Sequence, residues 1–144
     1  MSKKIAIGGD HAGYYHKEKL VKWLQSEGYE VTDFGPFNAD SADYPDFVHP
    51  ACEAIEKSDC EFGILICGSG QGVTITANKH QKIRAALCWD TDLAAVTRQH
   101  NNSNVVCIAA RWTAYELAES IVKTFLTTEF EGGRHQRRVD KISC

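Results

Sequence analysis

No apolar stretch in this 144-residue sequence approaches the length of about 18 residues needed to cross a membrane, so a transmembrane helix is excluded. Cys52, Cys60, Cys67, Cys88, Cys107 and Cys144 form no C-x-x-C pair, which leaves structural zinc and dithiol redox chemistry without support. The opening segment, "MSKKIAIGGD", has two lysines but only three consecutive apolar residues, too few for a secretory signal. A cytoplasmic location is expected, with the cysteines held mostly as thiols. Positive charge is not in excess: 16 Lys and Arg stand against 19 Asp and Glu, a net charge of −3, which argues against nucleic acid as a partner of the whole surface. There is no internal repeat and no linker, and the length suits one domain over 1–144 with a real core.

What the chain does contain is a regular alternation of apolar runs and helix-period segments. "KIAIGG" (4–9), "YEVTDF" (29–34), "FGILICG" (62–68), "IRAALCW" (83–89) and "NVVCIAA" (104–110) read as strands. Helices are expected over 12–26, where Leu20, Val21 and Leu24 share a face, and from Pro45 to Lys57, with a kink or late start at Pro50. Further helices are expected over 71–80, 90–102 and 113–128, the last burying Leu117, Ile121, Val122, Phe125 and Leu126. Cys88 and Cys107 lie inside apolar runs and read as small buried hydrophobes. Strands each followed by a helix imply a three-layer, Rossmann-like α/β/α sandwich around a five-stranded parallel sheet. Ligands in such sheets sit beyond the carboxyl ends of the strands. Those ends carry Asp10, His11, the 35–44 loop, Cys67 to Gly72, Trp89, Asp90 and Arg111.

Four groups of residues carry chemistry. In "GSGQG", Gly68, Gly70 and Gly72 let backbone amides gather around an anion or an oxyanion, although a plain tight turn would use the same letters. Val73 breaks the dinucleotide fingerprint G-x-G-x-x-G at its last position, while Asp90 lies at a distance that suits a ribose contact. Cys67 precedes this loop, where a thiolate would be stabilised, or it merely fills the strand end. Asp10 and His11 form a pair able to move protons or hold a phosphate, and Asp10 equally suits a helix cap. His100 ends a helix, as an acid or base or as an ordinary helix-end histidine with Asn101 or Asn102 as the left-handed stop. In "GGRHQRRV", Arg134 and Arg138 share a face if the segment is helical and make a phosphate clamp; otherwise they belong to a solvated tail.

Taken together, "GGDHAG", "DYPDF", "LICGSGQG", "ANKH" with "IRAALC", "RQHNNSN" and "GGRHQRRV" resemble the type B ribose-5-phosphate isomerase family, whose wider group includes galactose-6-phosphate isomerase subunits. The resemblance runs in order from residue 3 to about 142. It implies an aldose–ketose isomerase working through a cis-enediolate, without metal or cofactor, as a homodimer with shared sites and a step to tetramer left open. It also implies that the 130–144 tail reaches the partner subunit. By match of motif it makes Cys67 the base, His100 and Asp10 the ring-opening pair, and Ser69 with the amides of 68 to 72 the enediolate stabiliser. It makes Tyr44, Asn101 and Gly72 sugar contacts, and His11, Arg111, Arg134 and Arg138 phosphate ligands. Six-carbon substrates (galactose or allose 6-phosphate) and a non-catalytic nucleotide- or sugar-phosphate-binding module remain as alternatives. His80 and Trp89 either line the cleft or pack.

Overall fold

The computed structural model describes residues 3–144. Five strands, β1 (Lys4–Gly9), β2 (Glu30–Asp33), β3 (Phe62–Cys67), β4 (Ala85–Leu87) and β5 (Val105–Ala109), form one sheet in the order β2-β1-β3-β5-β4. Every neighbouring pair is parallel. Six helices connect and flank them: α1 (Tyr14–Ser26), α2 (Pro45–Glu56), α3 (Gln71–Ala77), α4 (Thr91–Asn101), α5 (Tyr115–Thr127) and α6 (Arg134–Asp140).

The central strands are apolar throughout because both faces are covered. Ile64 and Ile66 of β3 and Val106 and Ile108 of β5 pack under α1, α4 and α5 through Leu20, Leu24, Ala94, Ile121 and Phe125. The alternate residues Leu65, Cys67, Val105 and Cys107 face α2 and α3 through Val48, Cys52, Ile55, Val73 and Ala77. Cys88 and Cys107 are buried as expected. The layers are thus the anticipated α/β/α sandwich.

Several boundaries differ from the expectation, each for a local reason. The first helix begins with a 3-10 turn over His11–Gly13. Pro50 neither delays nor ends α2, which runs from Pro45; it lies inside the helix and withholds one bond, the N–H that would donate to the carbonyl of Asp46. α3 stops at Ala77 because the Asn78 amide pairs with the backbone N–H and C=O of Ala85, fixing the entry to a β4 of only three residues. Leu117 is 38% exposed rather than core; Ala118 takes the inward place on α5. The tail is helical: α6 rests on α4 through the buried His135 and Val139. Among the described residues no helix is long and apolar enough to cross a membrane.

β1 leads outward to β2, and the chain then returns to place β3 on the other side of β1. The loops after β1 and β3 therefore part in opposite directions and leave a crevice at their carboxyl ends.

Candidate active site

That crevice is built on a close approach of β1 and β3. The N–H of Asp10 donates to the carbonyl of Ile66 at 3.1 Å. A Cβ on Gly9 would lie 1.9 Å from the same oxygen and one on Gly13 2.5 Å from it, so only glycine fits at either place. Asp10 is buried and its Oδ1 accepts from the N–H of Ala12 at 2.9 Å, the capping role open to it from sequence. His11 Nδ1 accepts from the N–H of Ala42 at 3.1 Å, so neutral His11 carries its proton on Nε2. The 35–44 loop is thereby tied to β1. Its other anchor is Asp33, which accepts from the N–H of Gly35 at 2.9 Å and from Lys17 Nζ at 2.7 Å. Lys17 is 1% exposed, and its pairing with Asp33 had no signal in the sequence.

Cys67 ends β3, 4% exposed, with its carbonyl accepting from the N–H of Ala110 at 2.9 Å. Gly68 follows, and its carbonyl accepts from the N–H of Arg111 at 3.0 Å. The Arg111 guanidinium lies over Gly68, 3.2 Å from where a Cβ would stand. Ser69 Oγ accepts from the N–H of Gln71 at 3.3 Å. Gly70 turns the chain at φ +72° into α3, pressed against Leu87. Gly72 lies under the ring of Tyr44. Asp10, His11, Tyr44, Cys67, Gly68, Ser69, Gly70, Gly72 and Arg111 thus surround one end of the sheet.

The thiols divide by environment. Burial, with Glu56 and Glu53 adding, pushes Cys52 up to about 12; burial with Asp90 pushes Cys88 up to about 12. Burial also raises Cys60 and Cys107. These four are packing groups held as neutral thiols.

His100, Asn101, Arg134 and Arg138 are elsewhere. They line a cleft of about 390 Å³ between the end of α4 and α6, together with His135, Val139 and Ile142. Arg84 Nε donates to the carbonyls of Asn101 and Asn102 at 3.2 and 3.0 Å, and Arg98 Nη1 donates to Asn102 Oδ1 at 2.9 Å and to the carbonyl of Ser103 at 2.6 Å. Asn102 is the left-handed stop, φ +47°. The His100 and His135 rings stack at 4.3 Å and 12°. The Glu131 carboxylate lies 4.0 Å from His100 Nε2 and 3.6 Å from His135 Nε2. Desolvation, then His100 and Arg134, holds His135 below the usual imidazole range. The donor atoms of His100, Glu131 and His135 lie within 4.8 Å of one another, but the neighbouring arginines oppose a cation and favour an anion. His135 and Glu131 escaped the sequence reading, although a helix started at Arg134 puts His135 and Val139 on its inner face at i, i+4.

These two sets occupy opposite ends of the sheet. Asn104, three residues past Asn101, precedes β5, whereas Cys67 pairs with Ala109 at its far end. The five residues of β5 span about 13 Å at 3.3 Å per step, so one small sugar does not bridge both sets within one chain. His80 turns toward α2, where it bonds Glu56 and His49, and so packs there. Trp89 is exposed, and Asp90 caps α4 by accepting from the N–H of Leu93 at 2.8 Å.

A parallel α/β/α sandwich with a thiol, an imidazole, a carboxylate and an arginine at its switch point defines the class: an α/β enzyme that handles protons on an anionic small molecule. Within that class, the family described as Ribose/Galactose Isomerase matches residues 5–142, and the chain belongs to it. It is 42% identical over 142 residues to ribose-5-phosphate isomerase B of Escherichia coli (strain K12), covering 99% of this chain and 95% of that one. The structure of a ribose 5-phosphate isomerase from Thermotoga maritima superposes with a TM-score of 0.97 at 45% identity, covering 99% of both chains. Ribose-5-phosphate isomerase B from Mycoplasma genitalium with bound ribulose-5-phosphate superposes with a TM-score of 0.93 at 42% identity, covering 99% of this chain and 95% of that one.

Proposed function

We propose that this enzyme interconverts ribose 5-phosphate and ribulose 5-phosphate in the cytoplasm, as part of the pentose phosphate pathway, with Cys67 as the general base. The observation that carries this reading is the placement of Cys67 between the Asp10–His11 strand end and the Arg111-covered glycine loop. Its support from comparison is that relatives of this length and similarity bear the name ribose-5-phosphate isomerase B and that one of them holds ribulose-5-phosphate.

The steps follow from the chemistry of an α-hydroxy carbonyl. His100 delivers a proton to the furanose ring oxygen while Asp10 takes the proton of the anomeric hydroxyl, opening the aldose. The Cys67 thiolate takes the proton from C2, and the electron pair moves to leave negative charge on O1. Ser69 and the amides of residues 68 to 72 stabilise that enediolate, the dominant requirement because a carbon acid of this kind is feeble. The O2 proton passes to O1, and the thiol returns its proton to C1 as C2 becomes the ketone. Protons alone move, so no redox cofactor is called for. Tyr44, Asn101 and Gly72 hold the sugar, and His11, Arg111, Arg134 and Arg138 hold the phosphate, which fixes C1 and C2 at the sulfur.

Because the two residue sets lie at opposite ends of one sheet, the reading requires two chains. His100, Asn101, Arg134 and Arg138 of one subunit close over the Cys67 loop of the other, giving a homodimer with two shared sites and excluding water from the enediolate.

The test is turnover of ribose 5-phosphate by Cys67→Ala, whose fold is checked by circular dichroism. Loss of turnover with the fold intact supports the reading, and full activity refutes the assigned base. Galactose and allose 6-phosphates assayed beside ribose 5-phosphate settle the sugar length. Tight NAD or FMN binding without turnover would instead support a binding module.

A further inference from the structure

The isomerase reading leaves one polar cluster unused. Glu56, His80 and His49 form a hydrogen-bonded line from α2 to the turn after α3. His80 Nδ1 donates to Glu56 Oε1 at 2.7 Å, and His80 Nε2 lies 2.7 Å from His49 Nδ1. Glu56 Oε2 also accepts from the N–H of Lys82 at 3.4 Å, so the carboxylate is fixed from two sides. The bond to His80 is the main cause holding the Glu56 carboxyl below its usual range.

Since the Nδ1–H of His80 is committed to a carboxylate, neutral His80 presents a lone pair at Nε2, aimed at His49 Nδ1. One proton fits between two such nitrogens, and so does a cation that both ligate. We propose that His49 and His80 form a divalent transition-metal site, with Glu56 as the carboxylate behind His80 and Zn2+ exchanging for the shared proton. Imidazole nitrogen suits such ions, and a ligating histidine characteristically donates its other N–H to a carboxylate.

The geometry is close to what the ion needs. Metal–nitrogen bonds of about 2.0–2.1 Å in a tetrahedral site set the donor atoms about 3.4 Å apart, so the rings open by roughly 0.7 Å. His49 is exposed and free to turn. The two rings are tilted at 49°, whereas the stacked His100 and His135 lie within 12° of parallel beside two arginines. His49 and His80 are the two protein ligands, with water completing the shell. Binding releases the shared proton to solvent and staples α2 to the turn after α3.

The experiment is a Zn2+ titration of the full, chelator-treated chain in a Cys144→Ser background, which removes the exposed thiol. It is followed by imidazole nitrogen resonances and by thermal unfolding. His49 and His80 resonances are expected to shift together before any other imidazole, with the Tm rising by about 4 °C at a tenfold excess over Kd. His80→Gln and, separately, His49→Gln are expected to weaken Zn2+ binding at least tenfold and to remove the Tm rise while isomerase turnover stays unchanged. Shifts confined to His100 and His135, or equal Zn2+ affinity in both variants and the parent, would overturn the proposal.

Discussion

The ring of Tyr44 lies so close over Gly72 that a Cβ at position 72 would stand 2.5 Å from its Cζ and 2.8 Å from its hydroxyl. The start of α2 thus rests on the first turn of α3, and a glycine is required at the contact. Gly72→Ala is expected to push the Tyr44 ring aside, raising KM for ribose 5-phosphate and lowering kcat/KM about tenfold, roughly the loss of one well-made contact. Steady-state kinetics measure this, and a Tm within a few degrees of the parent separates a site effect from unfolding.

The β1–β3 junction is less forgiving. A Cβ on Gly9 meets the backbone carbonyl of Ile66 at 1.9 Å, and backbone in the middle of the sheet has nowhere to go. Gly9→Ala is expected to destabilise by about 3 kcal/mol or more, read as a lowered urea midpoint. Gly28→Ala provides the contrast: nothing lies within 4 Å, and its positive φ of +89° alone sets a smaller loss.

Lys17 and Asp33 pair at 2.7 Å with the ammonium almost fully buried. Lys17→Met leaves Asp33 without its cation and loosens the Gly35 turn that leads to Ala42 and Tyr44. The expected result is a stability loss of about 3 kcal/mol together with a higher KM. Asp33→Asn leaves the buried ammonium only the more exposed Glu18, at 2.8 Å, as counter-charge and is expected to act in the same direction with a smaller loss; denaturant unfolding and kinetics on both variants check the pair.

Stability is expected to fall in alkali. Cys52 and Cys88 are raised to about 12 in the folded chain against an ordinary value of 9.0. Between those values the folded state binds more protons than the unfolded state, so unfolding free energy declines as pH rises. The contribution is complete below pH 9.0 and is lost toward about 12, at up to about 1.4 kcal/mol per pH unit for each thiol. Urea midpoints at pH 8 and pH 10.5 should show the fall, and Cys52→Ala should show a shallower one.

The sheet and the two helix layers were legible because β1, β3 and β5 are unbroken apolar runs and α5 repeats its apolar residues at helical spacing. Strand order was not: β4 lies outside β5, and nothing in "IRAALCW" distinguishes an edge strand from a central one. α6 was hidden in a polar segment whose only inward side chains are His135 and Val139. Motif by motif, the residues at the crevice were legible too. The division of the candidate residues into two sets was implied only by the family resemblance, with its shared sites; spacing and periodicity do not show it, because it depends on α4 running back along β5. Lys17–Asp33, Glu56–His80–His49 and the His100–His135 stack are tertiary pairings with no periodicity to announce them.

The shared site is tested most directly by complementation between two inactive variants. Cys67→Ala and His100→Asn are unfolded together in equal amounts, refolded, and assayed with ribose 5-phosphate. Half of the dimers formed are mixed, and each holds one site with both residues intact, so activity is expected to return to about one quarter of the parent value. Absence of any recovery, in a preparation whose mixed dimers are demonstrated by native mass spectrometry, would contradict a site made from two chains.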